Sequence, residues 1–262
     1  MAVSTTHFVI KLEPTLDPNL EVQRPHILQE EALGLTLQAG LVSVVHGKLS
    51  PNGPAASIML LEFRFIGSQT NKRRFRYANI DVGFAHIHNT IGSELDPVVV
   101  NIAPNDRKIL SRSTKAPGRF AVFAKGLERA KAEQKTSYMV LDGVKRIEGR
   151  YWGEQNMGRW LLAGNGNGRE GIPALLRVAI VVKPQNNEAF QAMVSVDVKA
   201  DLLHEATMAV TRLRGKAGIY PVSFEYEKNR EPLNPELLGE LDVDNLANVN
   251  LGKFEFVGSR IP

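Results

Sequence analysis

The amino-acid sequence predicts a mainly β protein, an antiparallel β-sandwich or jelly-roll-like fold with one or two short helices. About ten segments alternate apolar and polar residues with a period of two, which is typical of strands that bury one face. Turns rich in glycine and proline separate these segments, and helical patterns are few, so a βαβ fold is disfavoured. We expect residues 1–262 to form a single domain, because all-β domains of this length often remain undivided.

The composition predicts a globular protein of the cell interior. Of the 262 residues, 43% are hydrophobic and 23% are charged, which is close to the average for folded domains. The sequence shows no apolar run long enough to cross a bilayer and no secretory signal. It also contains no cysteine and no Asn-x-Ser/Thr sequon, as expected in a reducing compartment. We therefore expect a cytoplasmic protein without a membrane span.

The net charge of +4 is distributed unevenly along the chain. Residues 107–135 contain nine Lys or Arg against two Glu, whereas residues 225–244 contain seven acids against two bases. Such blocks can support head-to-tail self-association or binding of an anionic partner, although a charged surface also simply keeps a protein in solution.

In the first part of the chain, alternation predicts a strand at residues 7–12 and another that ends near Leu49. Residues 29–33 also fit one helical turn. A turn with two prolines and an Asn-Gly pair follows at residues 50–54. The next strand is expected to be half buried, with Glu62 on its polar side and four apolar residues on the other: Met59, Leu61, Phe63 and Phe65.

Residues 72–88 predict a long strand with an irregularity. Phe75 and Tyr77 occupy odd positions, whereas Ile80 and Val82 occupy even ones, so a regular strand would send one pair to the wrong face. A β-bulge near residues 78–79 explains the change of parity. On this interpretation Phe75 and Tyr77 form a buried ring pair.

The remaining segments continue the β pattern. Strands are predicted at residues 96–103, 138–147, 150–153, 159–162, 176–182, 190–198, 220–226 and around 254–256. A turn at residues 183–188 predicts a hairpin between two of them. A helix is expected over residues 201–213, and Asn234 is expected to cap a short helical turn that begins at Pro235. Residues 127–135 fit either a helix or an extended edge.

A basic cluster begins the long strand and is the first candidate site, for an anion: Lys72, Arg73, Arg74 and Arg76. Arginines interleaved with aromatic rings are typical of surfaces that bind nucleic acid, and clustered cations also bind anionic lipid. A basic edge strand has a purely structural use as well, since it resists unwanted pairing with other chains.

The histidines His86 and His88 are the second candidate site, for a metal. Two residues apart on a strand, their imidazoles share one face, which is the spacing of a metal-binding His-x-His pair. The sequence does not place a third ligand beside them. Polar residues at the end of a strand are the simpler interpretation.

No catalytic motif accompanies these candidates. Residues 166–171 match G-x-G-x-x-G, but Pro173 follows and no helix is available to hold a phosphate. His204 and Glu205 begin an H-E-x-x-H motif, but Met208 stands where its second histidine would be. We therefore expect no cofactor and a protein that is more simply a binder than an enzyme, although acid and base pairs assembled in three dimensions leave no sequence motif.

A loose pattern covers about half of the chain and resembles uncharacterised proteins of filamentous fungi. It includes the Arg73-Arg74-Phe75-Arg76 segment, a strand from Phe190, and the following turn and core positions: Gly143, Gly149, Asn156, Trp160, Gly171, Ile172 and Pro173. The resemblance implies a β-rich intracellular fold and no known activity.

These observations lead to one main hypothesis and two alternatives. The main hypothesis is a non-enzymatic binding or self-associating β-sandwich protein, a homo-oligomer in the second case. The alternatives are a metal-dependent enzyme that uses His86 and His88, and a binder of nucleic acid or anionic lipid that uses the basic cluster.

Overall fold

A computed structural model of the protein describes residues 5–10, 23, 25–32, 34–68, 73–87, 96–105, 108–110, 145–164, 171–185, 188–201, 222–224 and 233–258. The strands in these ranges are β1 (Thr5–Ile10), β2 (His26–Ala32), β3 (Leu35–Lys48), β4 (Ala55–Ile66), β5 (Phe75–His86), β6 (Val98–Ala103), β7 (Lys108–Leu110), β8 (Lys145–Trp152), β9 (Met157–Ala163), β10 (Leu175–Lys183), β11 (Phe190–Asp201), β12 (Val222–Phe224) and β13 (Phe256–Gly258). Short 3-10 helices span Pro235–Leu238, Leu246–Asn248 and Leu251–Lys253.

The strands form two antiparallel sheets. Sheet A has the order β1-β11-β5-β9-β8-β7, with β12 beside β1 on the same edge of β11. Sheet B has the order β13-β10-β4-β3-β2, with β6 beside β13 on the same edge of β10. The sheets pack face to face around a shared apolar core, so the predicted antiparallel β-sandwich is confirmed. None of the helices in the described ranges is long and apolar enough to cross a membrane.

The core between the sheets is built on alternate residues of each strand. Trp160 on β9 is fully buried, as expected for a core anchor, and its indole Nε1 donates a hydrogen bond of 3.0 Å to the Pro104 carbonyl oxygen. At one end of the core Phe190 stacks on Phe224, with 5.1 Å between ring centres, and meets Phe84 edge-on. The three rings belong to sheet A, and their contacts order its inner face at this end of the core.

Sheet B is buried on its outer face as well. Ile58 and Leu60 of β4 point away from the main core, yet both are fully buried in a second apolar cluster. Leu238, Leu246 and Leu251, from the 3-10 helices, supply the other side of this cluster. The strand predicted over residues 59–65 is confirmed as part of β4, but its expected exposure on one face is wrong, because the C-terminal segment covers that face.

The bulge in β5 lies earlier than predicted. Ala78 pairs with Val198 and Tyr77 with Lys199, but Phe75 pairs with Ala200, so Arg76 is the extra residue. Phe75 consequently enters the core, where its ring lies 5.6 Å from that of Phe65. Tyr77 instead lies on the outer face of sheet A, and the predicted buried ring pair is wrong.

Several local predictions are corrected by the pairing. The expected hairpin at residues 183–188 is wrong, because β10 belongs to sheet B and β11 to sheet A. Residues 29–32 belong to strand β2, not to a helical turn. The strands predicted to end at residue 147 and to begin at residue 150 are joined, since β8 runs through Gly149 from Lys145 to Trp152.

Asn234 has the left-handed φ of 43° and makes no side-chain cap; its Nδ2 donates to the Val42 carbonyl oxygen instead. Apart from Asp201, the last residue of β11, the helix predicted over residues 201–213 lies outside the described residues. So do residues 127–135 and the segment 165–170.

Candidate functional site

The basic cluster is dispersed by the fold. Arg73 and Arg74 precede β5, and Arg76 is the bulged residue. Arg74 is exposed, whereas Arg73 and Arg76 are half buried, and Lys72 lies outside the described residues. Because Phe75 is in the core, the cluster does not combine its cations with two stacking rings, and anion binding by this segment stays a prediction.

His86 lies at the end of β5 in a hydrogen-bonded network. Its Nε2 lies 2.6 Å from Glu188 Oε2, and its backbone N–H donates to Asp96 Oδ1 at 3.2 Å. Asn156 Nδ2 donates to the other oxygen of this buried carboxylate. The network ties the end of β5 to the turn between β8 and β9 and to the residues that precede β6 and β11, which is a structural role.

A metal site at this position stays a prediction. His88 lies outside the described residues, and within the described part of the chain no three His, Cys, Asp or Glu residues are grouped as metal ligands would be. Glu188 is the carboxylate partner that the structure gives to His86.

A second histidine network, partly buried and not signalled by the sequence, joins β3 to β4 and Gln23. His46 on β3 lies 2.7 Å through Nδ1 from Ser57 Oγ and 2.9 Å through Nε2 from the Gln23 amide nitrogen. The amide donates to Nε2, which leaves the proton on Nδ1 to be donated to Ser57. Burial lowers the pKa of His46 to about 4, so the ring is neutral.

This histidine–serine contact is not a catalytic pair. A general base needs an acceptor nitrogen toward the hydroxyl, but Nδ1 of His46 carries the donated proton. Ser57 is also fully buried, out of reach of a substrate. The network satisfies polar groups within the core.

The outer face of sheet A carries the most organised group of polar and aromatic side chains. We call it the Trp152 face and define it by residues of three neighbouring strands: Asp81, Arg146, Glu148, Arg150, Trp152 and Arg159. Arg159 and Asp81 are cross-strand partners, as are Arg159 and Arg150.

Trp152 on this face is exposed but held in position. It is 46% exposed, and the guanidinium carbon of Arg159 lies 4.1 Å from its ring centre. Asp81 accepts from Arg159 Nε at 2.5 Å and from a terminal nitrogen at 2.9 Å. The hydrogen bonds that Arg159 donates to Asp81 raise the pKa of Arg159 and hold its guanidinium beneath the indole.

Two further arginines lie along β8 on the same face. Glu148 accepts from Arg150 at 2.5 Å and also from Arg146. Both arginines remain partly exposed, with 48% and 38% of their side chains accessible. The acids of the Trp152 face are thus already bonded to arginine, and its remaining hydrogen-bonding groups are N–H donors.

The sequence predicts strands at these positions but not this face. Trp152 and Arg159 are seven residues apart and meet only because a tight turn with positive φ at Gly153 and Gln155 brings β8 beside β9. An exposed tryptophan just before a glycine turn is the one local signal.

An acidic segment, residues 235–244, lies on the outer side of sheet B and belongs to the described part of the acidic block. It presents the exposed residues Glu236, Leu237, Glu240, Asp242, Val243 and Asp244. Lys48 pairs with Asp244 at 3.7 Å.

Comparisons with protein-family models, with curated proteins and with solved structures found no match for this chain.

Proposed function

We propose that this protein is a non-enzymatic β-sandwich protein that self-associates head to tail through its two oppositely charged blocks. The observation that carries the proposal is the acidic segment, which is anchored by backbone hydrogen bonds and exposed, and in which Asp244 alone pairs with a base among the described residues.

The acidic segment is held on sheet B by backbone contacts. Leu233 and Val44 exchange two hydrogen bonds of 3.0 Å, and the Lys48 N–H donates to the Val243 carbonyl at 2.7 Å. Leu238 inserts between these anchors into the second apolar cluster. A preorganised segment loses little conformational entropy when it binds, which favours its use as an interface.

The exposed acids of this segment are available to a partner. Among the described residues, no Lys, Arg or His forms an ion pair with Glu236, Glu240 or Asp242. Leu237 and Val243, which lie among these acids in the sequence, are 43% and 41% exposed. Apolar residues surrounded by acids suit a basic partner surface that also has an apolar component.

The described residues of the basic block, Lys108–Leu110, form strand β7 at the edge of sheet A. Leu110 at the end of β7 pairs with Lys145 at the start of β8, so both ends of segment 111–144 are fixed at the β7 edge of sheet A. This segment contains seven Lys or Arg against three acids. An acidic surface on sheet B and a basic segment tethered to sheet A favour a heterologous contact, which builds rings or filaments.

Light scattering coupled to size-exclusion chromatography tests this proposal at about 50 mM and about 500 mM salt. We expect oligomers at low salt that dissociate at high salt. The Glu236→Lys/Glu240→Lys variant should be monomeric at both, because it brings the net charge of the acidic segment from −4 to zero.

The matched control is Glu31→Lys/Glu154→Lys, which changes the net charge equally at exposed residues elsewhere. It should associate like the wild type. A wild-type monomer at both salt concentrations, or equal loss of association in the two variants, would refute the proposal.

A further inference from the structure

We infer that the Trp152 face binds single-stranded nucleic acid, with a base stacked on Trp152 and the adjoining phosphates on Arg150 and Arg146. The inference rests on the geometry of β8, β9 and β5 and is independent of the proposed self-association.

The indole of Trp152 is a ready-made stacking surface. Arg159 lies against one face of the ring, so the exposed part of the residue belongs to the opposite face and the edge. Asp81 fixes Arg159 with two hydrogen bonds, and Arg159 in turn fixes the ring of Trp152. Binding of a ligand therefore costs little conformational entropy at this ring. Stacking of bases on such rings is the usual way in which proteins hold single strands.

The electrostatics of the ring select the kind of ligand. A guanidinium beneath the indole partly offsets the negative potential of the ring. A second cation on the open face is therefore disfavoured, and a neutral, planar π system is favoured. The groups around it are arginine N–H donors, because Glu148 and Asp81 are already bonded to arginine. A planar group attached to hydrogen-bond acceptors of negative charge meets both requirements, and a nucleotide is such a ligand.

The spacing along β8 suits a polymer. Arg150 precedes Trp152 by two residues on the same side of the strand, a separation of ~7 Å that one nucleotide spans between its base and a flanking phosphate. Arg146 lies four residues further, ~13 Å along the same line.

Fluorescence anisotropy with labelled oligothymidylate and oligouridylate of about 16 nucleotides tests the inference at about 50 mM and about 200 mM salt. We expect binding that weakens with salt. Trp152→Ala should weaken it by about 5- to 150-fold, the range reported for loss of one stacked base. Arg150→Gln should reduce the slope of affinity against salt by about one. The two oligonucleotides show whether DNA, RNA or both are bound.

Two variants separate stacking from loss of structure. Trp152→Phe keeps an aromatic ring and should retain part of the affinity lost in Trp152→Ala. Tyr151→Ala removes the neighbouring aromatic residue, which is 40% exposed but bonds through its hydroxyl to the Val100 carbonyl oxygen, and should bind like the wild type.

Three results would overturn the inference. They are no binding by the wild type at low salt, an unchanged affinity in Trp152→Ala, and duplex DNA of the same length bound as tightly as the single strand. The last result would mean charge attraction without stacking.

Discussion

Trp160 and Pro104 join the two sheets through the hydrogen bond from the indole Nε1 to the proline carbonyl. Gly149 lies against this bond: a Cβ at position 149 would stand 1.7 Å from the Pro104 oxygen and 2.9 Å from Nε1. The strand β8 can therefore lie this close to Pro104 only because position 149 has no side chain.

Gly149→Ala should destabilise the protein by about 3 kcal/mol, because the new methyl group must displace the Pro104 backbone and break the Trp160 hydrogen bond. Urea unfolding measures the change. Gly252→Ala is the control, since its nearest neighbour is a side-chain oxygen of Asn250 at 3.2 Å, and it should change stability far less. Equal effects of the two substitutions would contradict this packing.

Acidification should destabilise the fold through His46. Its pKa falls from 6.5 in the unfolded chain to about 4 in the folded protein, because burial disfavours the charged ring. The neutral ring therefore contributes its full stability above pH 6.5, and that contribution, about 3 kcal/mol, is lost as the pH falls from 6.5 to 4. Urea midpoints measured across this range should fall in the wild type and stay flatter in His46→Gln. If the urea midpoints of the two proteins changed equally with pH, His46 would not be the group responsible.

Glu62 should stabilise sheet B through its two arginines. It is buried, with Arg177 at 2.8 Å and Arg64 at 2.7 Å. Burial alone would raise the pKa of Glu62, but the hydrogen bonds from Arg177 and Arg64 outweigh it and hold the pKa below 4.5. Its contribution is thus present above pH 4.5 and is lost as the pH falls below that value.

Glu62→Gln should cost about 2 kcal/mol at neutral pH, less than a fully buried ion pair because water reaches both arginines. Glu188→Gln is the control at a more exposed pair and should cost under about 1 kcal/mol. Thermal unfolding of the two variants compares them. A larger loss in Glu188→Gln would reverse the expected order.

The two tryptophans should be distinguishable by fluorescence. Trp152 is 46% exposed, whereas Trp160 is fully buried. Acrylamide should quench about half of the wild-type emission readily, because one of two indoles meets solvent. Trp152→Phe should remove the readily quenched component and shift the remaining emission to shorter wavelength. A variant that keeps that component would place Trp160 in solvent and contradict the core described above.

The fold class follows from the sequence because alternation is a local property. A period of two identifies β9 and β11 without any knowledge of their neighbours. Strand pairing is not a local property. No pattern in residues 183–188 indicates that the chain passes from sheet B to sheet A there. Likewise the burial of Ile58 depends on Leu246, nearly two hundred residues later.

The site could be predicted less well than the fold. The basic cluster and the histidine pair are recognisable by composition, yet one bulged residue, Arg76, sends the rings of Phe75 and Tyr77 to opposite sides of sheet A. The Trp152 face has no such compositional signature, because Asp81 and Arg159 come from strands far apart in sequence. The register of strand pairing decides which residues meet on this face, and only the folded sheet defines that register.

The late position of the segment that covers sheet B matters while the chain is being made. Strands β3, β4 and β10 are complete by Lys183, but the residues that cover their outer side begin at Leu233. During synthesis we therefore expect Ile58, Leu60 and Val181 to stay uncovered and open to chaperones until the leucines that cover them have been made. These are Leu238, Leu246 and Leu251, which follow Lys183 by 55 to 68 residues. Translation pauses within that interval should promote aggregation, whereas pauses after it should not.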